Sequence, residues 1–169
     1  MDSARSDRIL DEIRKRKEKE QVVDVEEERK KLVIFTLSGD HYAFYGHAIK
    51  EILQLVEIFY VPGAPDHILG VVNIRGDIES VIAINSFLGL TAAAVTPNSR
   101  IAVAADEEMR SGILVDSIED VVDVPVSAIR PPLATLGKSL KEFVAGETTF
   151  NGRDIALIDI GRIFKEIAV

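Results

Sequence analysis

Side chains able to do chemistry are thinly spread along this chain, and few stand at a working spacing. The histidines are His41, His47 and His67. His41 and His47 share a face only if one regular strand runs through both, and Asp40 lies beside the first. That is the nearest approach to a metal site, which needs a tighter ligand cluster; surface histidines are the plainer reading. Carboxylates gather at Asp106-Glu107-Glu108, at Glu119-Asp120, and at Asp77 and Glu79. Acid–base catalysis needs one carboxyl raised by its surroundings beside another that stays ionised. Asp106-Glu107-Glu108 instead runs into Met109-Arg110-Ser111-Gly112, as a solvated hairpin tip does. There is no Gly-Lys-Ser/Thr phosphate loop, Gly-x-Gly-x-x-Gly turn, His-Glu-x-x-His pair or nucleophile-elbow serine. Cysteine is absent, which removes disulfides and thiolate chemistry. The chain is expected to be no enzyme, with no cofactor and no metal.

The remaining chemistry is recognition. In Pro62-Gly63-Ala64-Pro65-Asp66-His67-Ile68-Leu69-Gly70-Val71-Val72-Asn73-Ile74-Arg75-Gly76, a proline-glycine loop leads into an apolar strand closed by Asn-Ile-Arg-Gly. Arg75 is a lone positive charge at a turn between two apolar runs. A guanidinium fork bonds carboxylates or carbonyls in two places. With Glu51 it makes either an ordinary surface pair, worth at most about 1 kcal/mol, or a charged patch beside an apolar groove where a partner's helix is oriented.

The elements that must position these residues are short. Residues 4–20 read as a helix, capped by Ser3 or Ser6, with Asp7, Asp11 and Glu12 near its positive end. Asp11–Lys15 and Glu12–Arg16 can pair for about 0.2–0.5 kcal/mol each. Its apolar face is thin, Ile9, Leu10 and Ile13; it is a solvated extension or a docking helix. Leu32–Leu37, a Ser38-Gly39-Asp40 turn and His41–Tyr45 read as a hairpin. Ala48–Val56 fits a helical turn or a strand, and Ile58–Val61 is extended. Strand-length apolar runs follow at Val71–Ile74, Val81–Ile84, Ile101–Ala105, Gly112–Val115, Val121–Val124 and Ile155–Ile160. Phe87–Leu90 and Gly161–Ile167 read as short helical ends. At an offset of 76 residues Gly70 matches Gly146, Gly76 matches Gly152, Ile82 and Ile84 match Ile158 and Ile160, and Phe87-Leu88 matches Ile163-Phe164. The repeat predicts two related β-subdomains.

Composition sets the outer limits. Hydrophobic residues make up 47% of the 169, enough for a core, but aromatics are 6% with no tryptophan, so Val, Ile and Leu must fill it. Residues 1–31 carry ten acids and ten bases; residues 32–169 carry eighteen acids and ten bases, the whole of the net −8. An acidic body repels phosphate backbones, which argues against nucleic-acid partners and against adhesion to anionic lipid. No apolar run approaches the roughly 20 residues that span a bilayer, and the charged N-terminus is no secretory signal. Direct membrane insertion is not expected, and a cytoplasmic location is.

Four blocks within about residues 31–167 resemble the CheW family, the adaptors of bacterial and archaeal chemotaxis arrays. Leu32–Leu37 with Tyr42 looks like the family's opening hairpin, and Ile49-Lys50-Glu51-Ile52 like its Val-x-Glu-Ile element. Gly70-Val71-Val72-Asn73-Ile74-Arg75-Gly76 resembles its Gly-Val-x-Asn-Leu-Arg-Gly motif, the most specific of the four. Gly112–Val121 with Ile129-Arg130-Pro131 resembles its Gly-x-x-Val-Asp-x-Val-x-x-Val…Ile-x-Pro block.

The resemblance implies a mainly β fold of two five-stranded SH3-like barrels around a shared core at 32–167, preceded by a charged helical extension at 1–31. It implies a non-catalytic adaptor joining the CheW-like regulatory domain of the histidine kinase CheA to chemoreceptor helical-hairpin tips, at membrane-associated arrays. Ile49, Glu51, Arg75, Ile101, Gly112, Ile118 and Val121 match the receptor groove; Ile68, Leu69 and Gly70 match the kinase side. A divergent scaffold of another two-component pathway, CheV-like without a receiver, is the alternative. Ser80 and Ala83 depart from the family's proline and aspartate, Asp77 and Glu79 add charge where it is apolar, and Asp159 keeps the aspartate in the second copy. These departures point to altered partner specificity.

Overall fold

The computed structural model describes residues 5–15 and 27–168. Residues 5–15 are helical (α1) and exposed throughout; the rest of the helix predicted over 4–20 lies outside the described residues. The body begins at Arg29, ahead of the predicted Leu32, because Arg29-Lys30-Lys31 pair with Asp123–Pro125 on the neighbouring strand.

Ten strands form two five-stranded sheets. The strands are β1 (Arg29–Leu37), β2 (Asp40–Tyr45), β3 (Ile49–Gln54), β4 (Ile68–Ile74), β5 (Asp77–Ile82), β6 (Arg100–Ala105), β7 (Arg110–Val115), β8 (Ser117–Pro125), β9 (Val144–Phe150) and β10 (Arg153–Ile158). One sheet runs β8-β1-β2-β10-β9, the other β3-β6-β7-β5-β4. Each contains one parallel pair, β2 with β10 and β5 with β7. The expected mainly β class and its two five-stranded units are present. Ala48–Val56, open in sequence, is strand β3 after a 3-10 turn at Gly46–Ala48.

The repeat has a physical cause. β4–β5 and β9–β10 share boundaries at the 76-residue offset, and both close on two residues at positive φ: Arg75 and Gly76 at 53° and 89°, Asn151 and Gly152 at 50° and 75°. Positive φ at both central residues is what a type I′ turn requires, and its twist matches that of paired strands. The other glycine of each copy sits under a crossing backbone. The segment after β3 bridges Phe59 to Val71, and the segment after β8 bridges Arg130 to Glu147. A Cβ at Gly70 would run into the Phe59 carbonyl oxygen, and one at Gly146 would lie 2.8 Å from that of Arg130. Each bridge ties the chain leaving one edge strand to the opposite edge of the same sheet.

The continuous apolar runs are explained by burial on both faces. Leu32 and Ile34 of β1 join Ala43, Ile155 and Leu157 in the first sheet's own core. Ile101 and Val103 of β6 join Val72, Ile74, Val81 and Leu114 in the second. The alternate residues, including Phe35, Phe44, Ala102, Ala104, Ile113 and Ile158, meet in a third cluster shared by both sheets. Helices α2 (Lys138–Phe143) and α3 (Ile160–Ile167) add Phe143, Ile163 and Phe164 to it.

One helical end is not helical. Gly161–Ile167 lies within α3, whose first turn is capped by Asp159 accepting from the Arg162 N–H at 3.2 Å. At the matching place in the first copy stands Ala83, with no side-chain oxygen. Phe87–Leu90 falls in a turn, with the Leu88 and Leu90 N–H groups donating to the Asn85 carbonyl.

Candidate docking site

Arg75 is held at the apex of the β4–β5 hairpin by its neighbours. The Asn73 side-chain oxygen accepts the Gly76 N–H at 2.9 Å, closing the turn that places Arg75 in the left-handed region. This is the work of the Asn-x-Arg-Gly spacing: asparagine bonds the backbone locally, and glycine takes the second positive φ. The guanidinium meets Glu51 in a two-pronged pair, Nη1 to Oε1 and Nη2 to Oε2, each 2.6 Å. Glu51 lies on β3 and the hairpin on β4, the two edges of the second sheet, so the pair spans its open sides. The Glu51 carboxyl is held below the usual carboxylate range, first by these hydrogen bonds; the charge of Arg75 and of Arg110 acts the same way, against partial desolvation. Arg75 keeps 70% of its side chain exposed while paired.

Next to this pair lies another that the sequence reading passed over. Arg110 Nε donates to Glu79 Oε1 at 2.6 Å, and Ser80 Oγ lies 2.9 Å from Ser111 Oγ. The departures at Glu79 and Ser80 are thus matched by partners on β7, the strand parallel to β5. The spacing of the two segments hid this, since nothing in sequence announces a parallel pairing.

The remaining predicted residues fall into separate groups. Ile49 and Ile118 are half-buried, both against the shared core. Val121 is exposed on β8. Ile101 is 0% exposed within the second sheet's core, and Gly112 is buried. A Cβ at Gly112 would lie 2.7 Å from Ile101 Cγ2, so this glycine admits Ile101, not a partner's helix. Neither offers surface for docking. Ile68 and Leu69 are half-buried, and Gly70 lies buried under the Phe59 bridge. Exposed apolar surface lies instead at Phe59-Tyr60-Val61, in the segment bridged to β4 at Val71, which reads in sequence only as an extended run before Pro62.

A cleft of about 600 Å³ is lined by residues of both sheets, Tyr45, Ile158 and the adjoining Asp159 from the first and Lys50, Ala105 and the adjoining Asp106 from the second, with His47 between Tyr45 and Lys50 in sequence. Neither Arg75 nor Glu51 lines this cleft. Burial, then the charge of Asp159, pushes the Tyr45 phenol up against the opposing pull of Lys30. His41 and His47 do not share a strand face: β2 ends at Tyr45, and His47 lies in the 3-10 turn. Among the described residues no three His, Cys, Asp or Glu side chains are grouped to hold a metal ion.

Residues 31–168 match the family model described as a CheW-like domain. The chain belongs to the CheW family. The chemotaxis protein CheW of Rhizobium meliloti strain 1021 is 27% identical over 135 residues, covering 80% of this chain and 87% of that protein. The chemotaxis protein CheW of Bacillus subtilis strain 168 is 32% identical over 99 residues, 59% of this chain and 64% of the relative. The crystal structure of the scaffolding protein TtCheW from Thermoanaerobacter tengcongensis superposes with a TM-score of 0.68 at 27% identity, covering 78% and 90% of the two chains. A CheW-family chain is a chemotaxis scaffold domain and not an enzyme. Among the described residues no helix is long and apolar enough to cross a membrane.

Proposed function

We propose that this CheW-family protein is the adaptor that couples chemoreceptor cytoplasmic tips to a CheA-type histidine kinase, working in the cytoplasm at membrane-associated arrays. The observation that carries the reading is the Glu51–Arg75 fork. A guanidinium fixed at positive φ on a tight hairpin, bonded along two N–H groups and still mostly exposed, is a preorganised donor. A receptor helix carrying a carboxylate or a free carbonyl meets it without ordering a long side chain first. Ile49, Ile118 and Val121 supply apolar contact for that helix; Ile101 and Gly112 support the sheet from within. On the kinase side, Ile68 and Leu69 lie on β4, the strand that Phe59 bridges at Val71, and the exposed Phe59 and Tyr60 add apolar surface suited to another CheW-like domain. The receiver-less alternative, a CheV-like scaffold of another two-component pathway, has no observation in its favour here.

The test is a pair of affinities measured on one set of variants. Arg75→Glu should weaken binding to a receptor hairpin peptide at least about tenfold, a loss of the size that breaking a charge-assisted pair gives, and leave kinase-domain binding unchanged. Tyr60→Asp should do the reverse. Wild-type receptor affinity in folded Arg75→Glu would remove the receptor assignment.

A further inference from the structure

Helix α1 is an element without a surface to stand on. Every residue from 5 to 15 is exposed, including the apolar Ile9, Leu10 and Ile13. A helix this short is marginal in water and takes its stability from packing an apolar face. At about 100° per residue those three side chains fall on one stripe. The residues nearest its two edges are Arg5 on one flank and Arg14 on the other, ahead of Glu12 and Asp7. The helix therefore carries an apolar stripe with a guanidinium on each side, and its own chain leaves that stripe uncovered.

The body holds a concavity of matching character. A groove of about 610 Å³ is lined by the turn between β6 and β7 and by the end of α3. The half-buried Met109 and the buried Phe164 give it an apolar floor, and methionine reshapes readily around what docks on it. Asp106, Glu107 and Glu108 form an acidic wall, against one lining cation, Lys165. The wall is preset: Asp106 Oδ1 accepts the Glu108 and Met109 N–H groups at 2.9 and 2.8 Å, and the Asp106 N–H donates to the Met109 carbonyl at 2.9 Å. None of the three acids joins an ion pair among the described residues. No lining residue belongs to the Arg75 hairpin or to Phe59-Tyr60-Val61.

We propose that α1 of a second copy of this chain docks in this groove, with Ile9, Leu10 and Ile13 on Met109 and Phe164 and an arginine on the acidic wall. Because Arg5 and Arg14 stand on opposite flanks, either direction of the helix brings a guanidinium to the carboxylates. Charge favours the contact: residues 5–15 carry Arg5, Arg8, Arg14 and Lys15 against Asp7, Asp11 and Glu12, and the groove carries three acids against one base. Each copy has one exposed helix and one groove, so a reciprocal exchange fills both and closes on a twofold axis.

The test is sedimentation of the full chain over a range of concentrations, which should show a monomer–dimer equilibrium that weakens in high salt. Ile13→Asp should weaken the dimer at least about tenfold. Two charge reversals then locate the contact, all at exposed positions where the fold is not at stake. A chain with Glu107→Lys and Glu108→Lys, and another with Arg5→Glu and Arg14→Glu, should each associate at least about tenfold more weakly than wild type. Mixed in equal amounts they should associate again, since each helix then meets a groove of opposite charge. A chain that stays monomeric at every concentration, or a dimer indifferent to Ile13→Asp and to both reversals, overturns the proposal. So does a mixture no more associated than its parts. NMR shifts at Met109 and Phe164 that respond to Ile13→Asp in dilute monomer would place the helix in its own groove and overturn the exchange between copies.

Discussion

At Arg75 two constraints meet that are seldom combined in one arginine. Its backbone occupies the left-handed region, uncommon for a residue with a Cβ, and its side chain is committed to Glu51. The pair gives a pH signature. The folded Glu51 carboxyl is held below its ordinary value by Arg75; a depressed carboxyl stabilises the fold above the unfolded value and loses that contribution as pH falls through the folded one. Urea unfolding of wild type and Glu51→Gln should therefore differ by a constant amount above the ordinary glutamate range. The gap should close on acidification below it, and shrink in high salt because the pair is exposed. A gap independent of pH would mean that Glu51 acts by packing alone. Gly70 makes a different point at the same scale. Its side-chain position is occupied by the Phe59 carbonyl, and its φ is 154°. Gly70→Ala should cost about 1–3 kcal/mol, the range for a strained or overpacked site, and the Val71 amide should lose hydrogen-exchange protection first.

Elements were legible in sequence to the degree that their turns were. The three hairpins closed by Ser38-Gly39, Arg75-Gly76 and Asn151-Gly152 all have positive φ at both residues, and two of them carried the repeat that revealed paired subdomains. β3 stayed ambiguous because Ile49, Ile52, Leu53 and Val56 fit a helical stripe, while pairing with β6 decided the matter. β9 was not predicted: Val144-Ala-Gly-Glu-Thr-Thr-Phe lacks an apolar run, because its buried positions include Gly146, Glu147 and Thr148. α2 is six residues with only Phe143 buried, too short to show a period. Of the docking residues, type and motif gave Arg75 and Glu51, but burial separated Ile101 and Gly112 from them, and a single sequence does not tell an inward β-residue from an outward one when both faces of a strand are covered. The helix caps show the same dependence on context. Asp159→Ala removes the acceptor at the start of α3 and should lower stability by about 1 kcal/mol, read by chemical denaturation. Ala83→Asp should bring no matching gain, since the segment after it forms a turn instead of a helix.

For the whole molecule, the decisive feature is that strands shared between two cores cannot unfold in one sheet alone. β1 gives Ile34 to the first sheet's core and Phe35 to the shared cluster; β6 divides Ile101 and Ala102 in the same way. Phe35 stacks on Phe44 at 4.0 Å and is fully buried. Its removal leaves a cavity facing both sheets, since Ile82, Ala104 and Ile113 belong to the same cluster. Phe35→Ala should cost about 3–5 kcal/mol, and both sheets should feel it. Hydrogen exchange or NMR in increasing urea, followed at Leu157 in one sheet and Leu114 in the other, should give a single coincident transition in wild type and again, at lower urea, in the variant. A load on the β4–β5 hairpin then reaches β9 and β10 through the packed side chains of the shared cluster, Ile82 on β5 with Val144 and Ile158, and not through a hinge. Transitions that separate in Phe35→Ala, with the β3-β6-β7-β5-β4 sheet intact after the other has melted, would show that each sheet stands on its own core and that the shared cluster is only a contact between them.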